Sequence, residues 1–242
     1  EGTVRSQIRA SELNRYSNAS MIIGLEGHSF TGKTVLLEAL AVKRDAVSIA
    51  ECDTYAGGID KYPPFPPTNQ QMSIDNVDFF GGLELKRVGD VELANDTNIF
   101  VDRTFLSVII FQDFIKSLEN GWSNAGDYAR NYYKNKIEKG TVIIPDLMVL
   151  VTCNNQDEYI SRQAREISVD ELRALDAYSF YNLSYHKALG VYSRQDRLLI
   201  VDNSGDKELA TLVDEILFFI NVQDELRPDI KKKMALEMID AL

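Results

Sequence analysis

The chain has 242 residues, a formal net charge of −11 and ordinary apolar and charged fractions, which fits one soluble α/β domain with helical additions. So acidic a chain is a poor partner for nucleic acid polymers, whose phosphates want clustered Lys and Arg. No apolar run approaches the roughly 20 residues of a membrane span, and the polar first twenty residues carry no secretory pattern; a cytoplasmic protein without a membrane segment is expected.

Residues 1–20 are read as an N-terminal extension. Residues 21–26 are continuously apolar up to Glu26, as a strand covered on both faces requires. They run into Gly27-His28-Ser29-Phe30-Thr31-Gly32-Lys33-Thr34, which matches G-x-x-x-x-G-K-[ST] between a strand and a helix. Glycines let the backbone wrap phosphate oxygens, N–H groups point inward, and the helix N-terminus adds its positive end. Lys33 is expected on the β- and γ-phosphates and the Thr34 hydroxyl on magnesium, so residues 27–34 are expected to hold ATP with Mg2+. His28 is expected to be a spacer whose side chain points outward. Residues 33–43 follow as a helix with Leu36, Leu37, Leu40 and Ala41 on one side.

Residues 47–52 predict a second strand, ending in Glu51-Cys52-Asp53. Glu51 and Asp53 would share a strand face beyond the carboxyl end of the sheet, where ligands of open α/β sheets bind. Asp53 is expected to take the proton of an attacking hydroxyl, with Glu51 as the alternative. Residues 55–69, with two glycines and four prolines, predict an irregular loop, and 72–93 a helix weakened by Gly81-Gly82. Residues 98–102 predict a third strand ending in Asp102-Arg103-Thr104. Asp102 is expected to hold a magnesium-bound water, and Arg103 to clamp a phosphate or the acceptor.

Residues 105–118 and 121–139 predict helices, the second polar and aromatic with Tyr128, Tyr132 and Tyr133. Residues 147–152 predict the fourth strand. A helix over 157–166 would set Arg162 and Arg165 three apart on one face, where two guanidiniums could close over a transferring phosphoryl group; Glu158–Arg162 pairing is the alternative use of that face. Tyrosines at helical spacing, Tyr178, Tyr181 and Tyr185, read as packing. Residues 198–202 predict the fifth strand, 207–220 a helix, and 225–242 an amphipathic helix after Pro228. Cys52 and Cys153 close apolar runs and read as thiols of a reducing compartment. Strands alternating with helices imply βαβ units and a largely parallel sheet.

The order of these motifs resembles the thymidylate kinase and deoxynucleoside kinase branch of P-loop kinases. The residues that carry it are the phosphate loop, Asp102-Arg103-Thr104, Pro145-Asp146-Leu147, the 157–165 stretch and Val201-Asp202-Asn203-Ser204-Gly205. The resemblance implies a three-layer α/β fold over 21–222, with a parallel five-stranded sheet of order 2-3-1-4-5, helices on both faces and an arginine-bearing helical lid around 155–170. It implies a fifth-strand loop, with Asn203, against the adenine; residues 223–242, the C-terminal amphipathic helix, lie outside it. The pattern at Cys52-Asp53-Thr54-Tyr55 departs from the Arg-Glu-Pro of thymidylate kinases and is more similar to uridine kinases and other small-molecule kinases. The implied activity is transfer of the γ-phosphoryl group of ATP to a nucleoside or nucleotide. A kinase of an antibiotic, sugar or vitamin-like alcohol is one alternative, and a P-loop ATPase that switches a protein partner is another; a homodimer stays open.

Overall fold

The computed structural model of the protein describes residues 21–64, 67–94, 98–117, 125–165 and 171–242. The N-terminal extension 1–20, residues 121–124 of the polar aromatic segment and residues 166–170 of the lid lie outside the described residues. Strands Ile22–Glu26 (β1), Val47–Ile49 (β2), Ile99–Asp102 (β3), Leu147–Thr152 (β4) and Leu198–Asp202 (β5) form a parallel sheet of order β2-β3-β1-β4-β5, the order the resemblance implied. Around it lie helices Lys33–Arg44 (α1), Cys52–Ala56 (α2), Gln70–Leu93 (α3), Phe105–Ser117 (α4), Ala125–Glu138 (α5), Gln156–Ala164 (α6), Glu171–Ser193 (α7), Leu209–Asn221 (α8) and Pro228–Ala241 (α9). Among the described residues no helix is long and apolar enough to cross a membrane.

The continuous apolar strands are explained by two cores, one on each face of the sheet. Along β4, Leu147, Val149 and Val151 turn toward Leu36, Leu37 and Leu40 of α1 and Leu212, Val213 and Ile216 of α8. Met148 and Leu150, one residue out of phase, turn toward α4, α5, α7 and α9. All six β4 residues are therefore buried, as period-2 alternation between two covered faces demands. Each fully buried Leu stabilises the sheet by about 1.5–3 kcal/mol. β1 runs between β3 and β4, with Ile23 opposite both Phe100 and Leu147. The phosphate loop thus leaves from the middle of the sheet.

The structure corrects the expected elements at several places. β2 stops at Ile49 and Cys52 opens α2, so Glu51 and Asp53 do not share a strand face. The irregular loop yields Tyr55 and Ala56 to α2 and residues 59–61 to a 3-10 turn. α3 runs unbroken through Gly81-Gly82, started by the Asn69 side chain, which accepts from Met72 N at 3.0 Å. Gly81 serves packing: a Cβ there would stand 2.3 Å from the Tyr132 ring. α7 is a long helix that the sequence marked only through its tyrosines.

The C-terminal helix is joined to the core rather than appended. Met234, Ala235, Met238 and Ile239 bury into the cluster beneath α7. Asp146, fully buried, accepts from Ile22 N at 2.9 Å and Leu226 N at 2.8 Å and pairs with Lys231 Nζ at 2.8 Å. One carboxylate therefore ties the start of β1 to α9. Asp146→Ala leaves the largely buried Lys231 ammonium only the more distant Glu225 carboxylate, at 3.9 Å, and strands the Ile22 and Leu226 N–H groups, so unfolding by urea should show a loss of about 3–5 kcal/mol.

Candidate active site

The loop between β1 and α1 is shaped by backbone that only particular residues accept. Gly27 has φ 141°, Phe30 67° and Gly32 85°. A Cβ on Gly27 would lie 2.2 Å from the Val151 carbonyl oxygen, and one on Gly32 2.4 Å from Asn203 Nδ2; these approaches admit glycine alone. Asn203 Nδ2 donates to Thr31 O at 2.8 Å, and Thr31 Oγ1 donates to His28 O at 2.9 Å. Asn203, at the end of β5, thus braces the loop. α1 begins at Lys33 with no side-chain cap and no acid in its first turn. Its first N–H groups are left for an anion.

Lys33, Thr34, Asp102 and Arg103 converge on this loop. Lys33 Nζ is buried and donates to His28 O at 2.9 Å. Thr34 Oγ1 donates to Asp102 Oδ2 at 2.8 Å, while Asp102 Oδ1 is buried with no hydrogen-bond partner. A hydroxyl beside a carboxylate with a spare oxygen fits a hard, oxygen-loving cation such as Mg2+. Among the described residues no three His, Cys, Asp or Glu side chains gather as a metal cluster. A magnesium ion held mainly by phosphates and water needs no more than one or two protein ligands.

Arg103 leaves β3 with φ 59°. Its Nη1 donates to Gly27 O at 3.0 Å and its Nη2 to Ser29 Oγ at 3.1 Å, and its Nε pairs with Glu51 Oε1 at 2.7 Å. Burial pushes the Glu51 carboxyl up, but Arg103 and then Lys33 outweigh it and hold its pKa below the usual carboxylate value. Asp53 sits one residue inside α2, where its Oδ1 accepts from the adjacent Thr54 N at 2.7 Å. The helix start, absent from the strand reading, turns Glu51 rather than Asp53 toward Arg103.

Beyond this pair lies a cavity of about 500 Å³. Its walls include the rings of Tyr62, Phe80, Phe111, Tyr133 and Tyr181. Its polar lining includes Ser29, Glu51, Asn76, Glu84, Arg87 and Arg103, but not Asp53. His28 also lines it, against the outward orientation expected from the sequence. Its ring packs 4.5 Å from that of Tyr181, and its Nδ1 meets the Tyr159 hydroxyl of α6. Burial, then the charges of Arg103 and Lys33, push its pKa down to about 3, so the ring is neutral.

The lid expectation holds its two arginines differently. Arg162 Nη1 lies 3.8 Å from where a Gly32 Cβ would stand, and its Nε pairs with Glu158 at 2.7 Å. The guanidinium combines the i,i+4 pairing with an approach to the phosphate loop. α6 ends at Ala164, and Arg165, its C-cap, keeps helical dihedrals (φ −73°, ψ −24°) three residues after Arg162; its side chain is exposed and bonds Ser161 Oγ at 3.4 Å.

No family model matches the sequence, and no curated protein matches it. Solved structures do match. A deoxyadenosine kinase from M. mycoides, with products dCMP and a flexible dCDP bound, aligns with TM-score 0.60 and 16% identity over 84% of this chain and 100% of its own. A thymidylate kinase from Candida albicans aligns with TM-score 0.60 and 16% identity over 86% and 97%. The NadR protein in complex with NR gives 0.58 and 15% over 93% and 60%. The chain has the P-loop kinase fold.

Within this P-loop kinase fold, the sequence pointed directly to the loop, Asp102 and Arg103. It missed Asn76, Phe80, Glu84 and Arg87, which line the cavity at helical spacing along α3. Their signal was a Glu-Arg pair three apart on the helix face that also carries Val77, Phe80, Val88 and Val91.

The protonation of Lys33 supplies a test. Burial, then Arg103, push its pKa down to about 7, against partial relief from Asp102, Glu51 and Glu26. A bound triphosphate adds negative charge and raises it again. Binding at pH 8 should therefore take up close to one proton per site, less as pH falls through 7, and Lys33→Met should abolish the uptake. Calorimetry in buffers of different ionisation heat measures it.

Proposed function

We propose that the protein is an ATP- and magnesium-dependent kinase that phosphorylates a small-molecule alcohol, with a nucleoside as first choice. The observation that carries this reading is the Arg103–Glu51 pair standing between the phosphate loop and the ring-lined cavity. Donor and acceptor sites meet there, at the carboxyl ends of β1 and β3. The structural neighbours include a deoxyadenosine kinase and a thymidylate kinase, which supports a nucleoside or nucleotide acceptor.

Lys33 and the loop N–H groups hold the donor phosphates. Thr34 and Asp102 would hold magnesium, which when bound supplies positive charge at those phosphates. Glu51, ionised and facing the cavity, accepts the proton of the acceptor hydroxyl. That oxygen bonds to the γ-phosphorus as the bond from phosphorus to the β,γ-bridging oxygen breaks, releasing ADP. Arg103 aims Glu51 and offsets negative charge on the transferring group, with Arg162 approaching from the loop's far side.

The charge inventory of the cavity favours an alcohol over a phosphate acceptor. Its lining cations, Arg87 and Arg103, are each already paired, with Glu84 and Glu51. A phosphate acceptor would have to displace one of those carboxylates. Aromatic walls suit a planar, uncharged ring system.

ATP consumption with a panel of nucleosides, nucleoside monophosphates and non-nucleotide alcohols tests this. Stimulation by nucleosides supports the reading. Stimulation by sugars or antibiotics alone moves the acceptor class, and turnover raised only by a protein partner replaces the kinase by a switch. Glu51→Gln should slow transfer by about a hundredfold or more with little change in ATP affinity, whereas Asp53→Asn should stay near wild type. Single-turnover rates of both variants decide which carboxylate takes the proton.

A further inference from the structure

Arg87 is 1% exposed, in the C-terminal half of α3, the longest helix among the described residues. A buried arginine is uncommon unless something specific holds it. Its Nη1 pairs with Glu84 Oε2 at 2.8 Å, and its Nη2 donates to two backbone carbonyls at once, Asp102 O at 2.7 Å and Arg103 O at 2.8 Å. Glu84 is itself tethered, its Oε1 accepting from Ile143 N at 3.2 Å ahead of β4. The guanidinium is thus aimed from behind by a carboxylate fixed to another part of the fold.

The two carbonyls belong to the turn that needs support. Arg103 adopts φ 59°, a conformation a side chain with a Cβ disfavours. Across the turn, Arg103 N donates to Leu25 O at 3.0 Å and Thr104 N to Glu26 Oε1 at 2.8 Å. β1 therefore holds its N–H groups, and α3, through Arg87, holds its carbonyls. The direction in which Arg103 reaches Gly27, Ser29 and Glu51 follows from this turn, as does the placement of the Asp102 carboxylate beside Thr34.

We propose that Arg87, oriented by Glu84, is a positioning residue for phosphoryl transfer: it fixes the left-handed turn that points Asp102 and Arg103 at the donor. The inference rests on the kinase reading for its rate effect, but not for its structural one. A small misplacement of catalytic groups costs rate steeply, on the order of a hundredfold for 1 Å, while triphosphate binding rests mainly on the loop.

Arg87→Lys keeps the charge and removes the fork that reaches two carbonyls and a carboxylate together. The expected result is a tenfold or greater fall in kcat, with KM for ATP within about twofold, at a temperature where circular dichroism shows the variant folded. A crystal structure of the variant should show Arg103 released from positive φ and from the Gly27 and Ser29 contacts. Should Arg87→Lys not fold, Glu84→Gln carries the test: it keeps both carbonyl bonds, weakens their aiming, and should lower kcat severalfold with the same unchanged KM. A wild-type kcat in a folded variant, a rate loss that only tracks the unfolded fraction, or an Arg103 that stays in place overturns the proposal. If the wild-type protein transfers no phosphate to any acceptor, the kinase reading fails by itself, and the position of Arg103 in the variant structure still decides for or against the role of Arg87.

Discussion

Arg103 leaves the central part of the sheet in a left-handed conformation that costs a non-glycine residue about 1–3 kcal/mol unless its surroundings compensate. Here they do so from every side. Leu25 O accepts its N–H and Glu26 that of Thr104, Arg87 donates to its carbonyl and to that of Asp102, and Gly27, Ser29 and Glu51 take its guanidinium. The kink turns the strand end between the phosphate loop and the ring-lined cavity. One side chain, Asp102, remains beside Thr34, and the next, Arg103, reaches the cavity wall. Without that change of direction at one residue, period-2 alternation along the strand would govern both side chains.

Glu26 extends the same logic below the site. It is fully buried, and burial pushes its carboxyl up even though Thr104 and Ser107 bonds to it act the other way. Its oxygens accept from Thr104 Oγ1 at 2.6 Å and Ser107 Oγ at 2.7 Å, and Ser107 meets the Tyr185 hydroxyl at 2.8 Å. The network links β1, the start of α4 and α7. A satisfied polar network of this kind fixes relative positions more sharply than apolar packing, which tolerates sliding.

The sheet was legible because each strand is a short apolar run bounded by polar residues, and because the phosphate loop has a demanding sequence. What stayed hidden depends on contacts distant in sequence. Nothing local shows that the apolar run after Val47 ends as a strand at Ile49 and gives way to a helix at Cys52, and that boundary is what separates Glu51 from Asp53. Gly81-Gly82 reads as a weak point in the expected helix, and nothing local shows that Gly81 is there because the Tyr132 ring of α5 occupies the space of a side chain. The orientation of His28 is set by Tyr159 and Tyr181, more than a hundred residues further on. α7 meets β4, β5, α4, α6 and α9, so its apolar residues form no single stripe for periodicity to find.

The carboxylate of Asp146 has a consequence for the order in which the molecule is made. It receives the first N–H of β1 and the ammonium of Lys231 in the helix that emerges after every other described element. During synthesis the sheet can gather its strands while Asp146 still lacks its cationic partner, since chains fold as they leave the ribosome, from the N-terminal side. The nascent protein then passes through a stage with the phosphate loop present and a buried negative charge waiting for a late segment. Contacts of such long sequence separation are slow to form. In that interval the apolar surface of α5 and α7 that Met234, Ala235, Met238 and Ile239 later cover faces solvent.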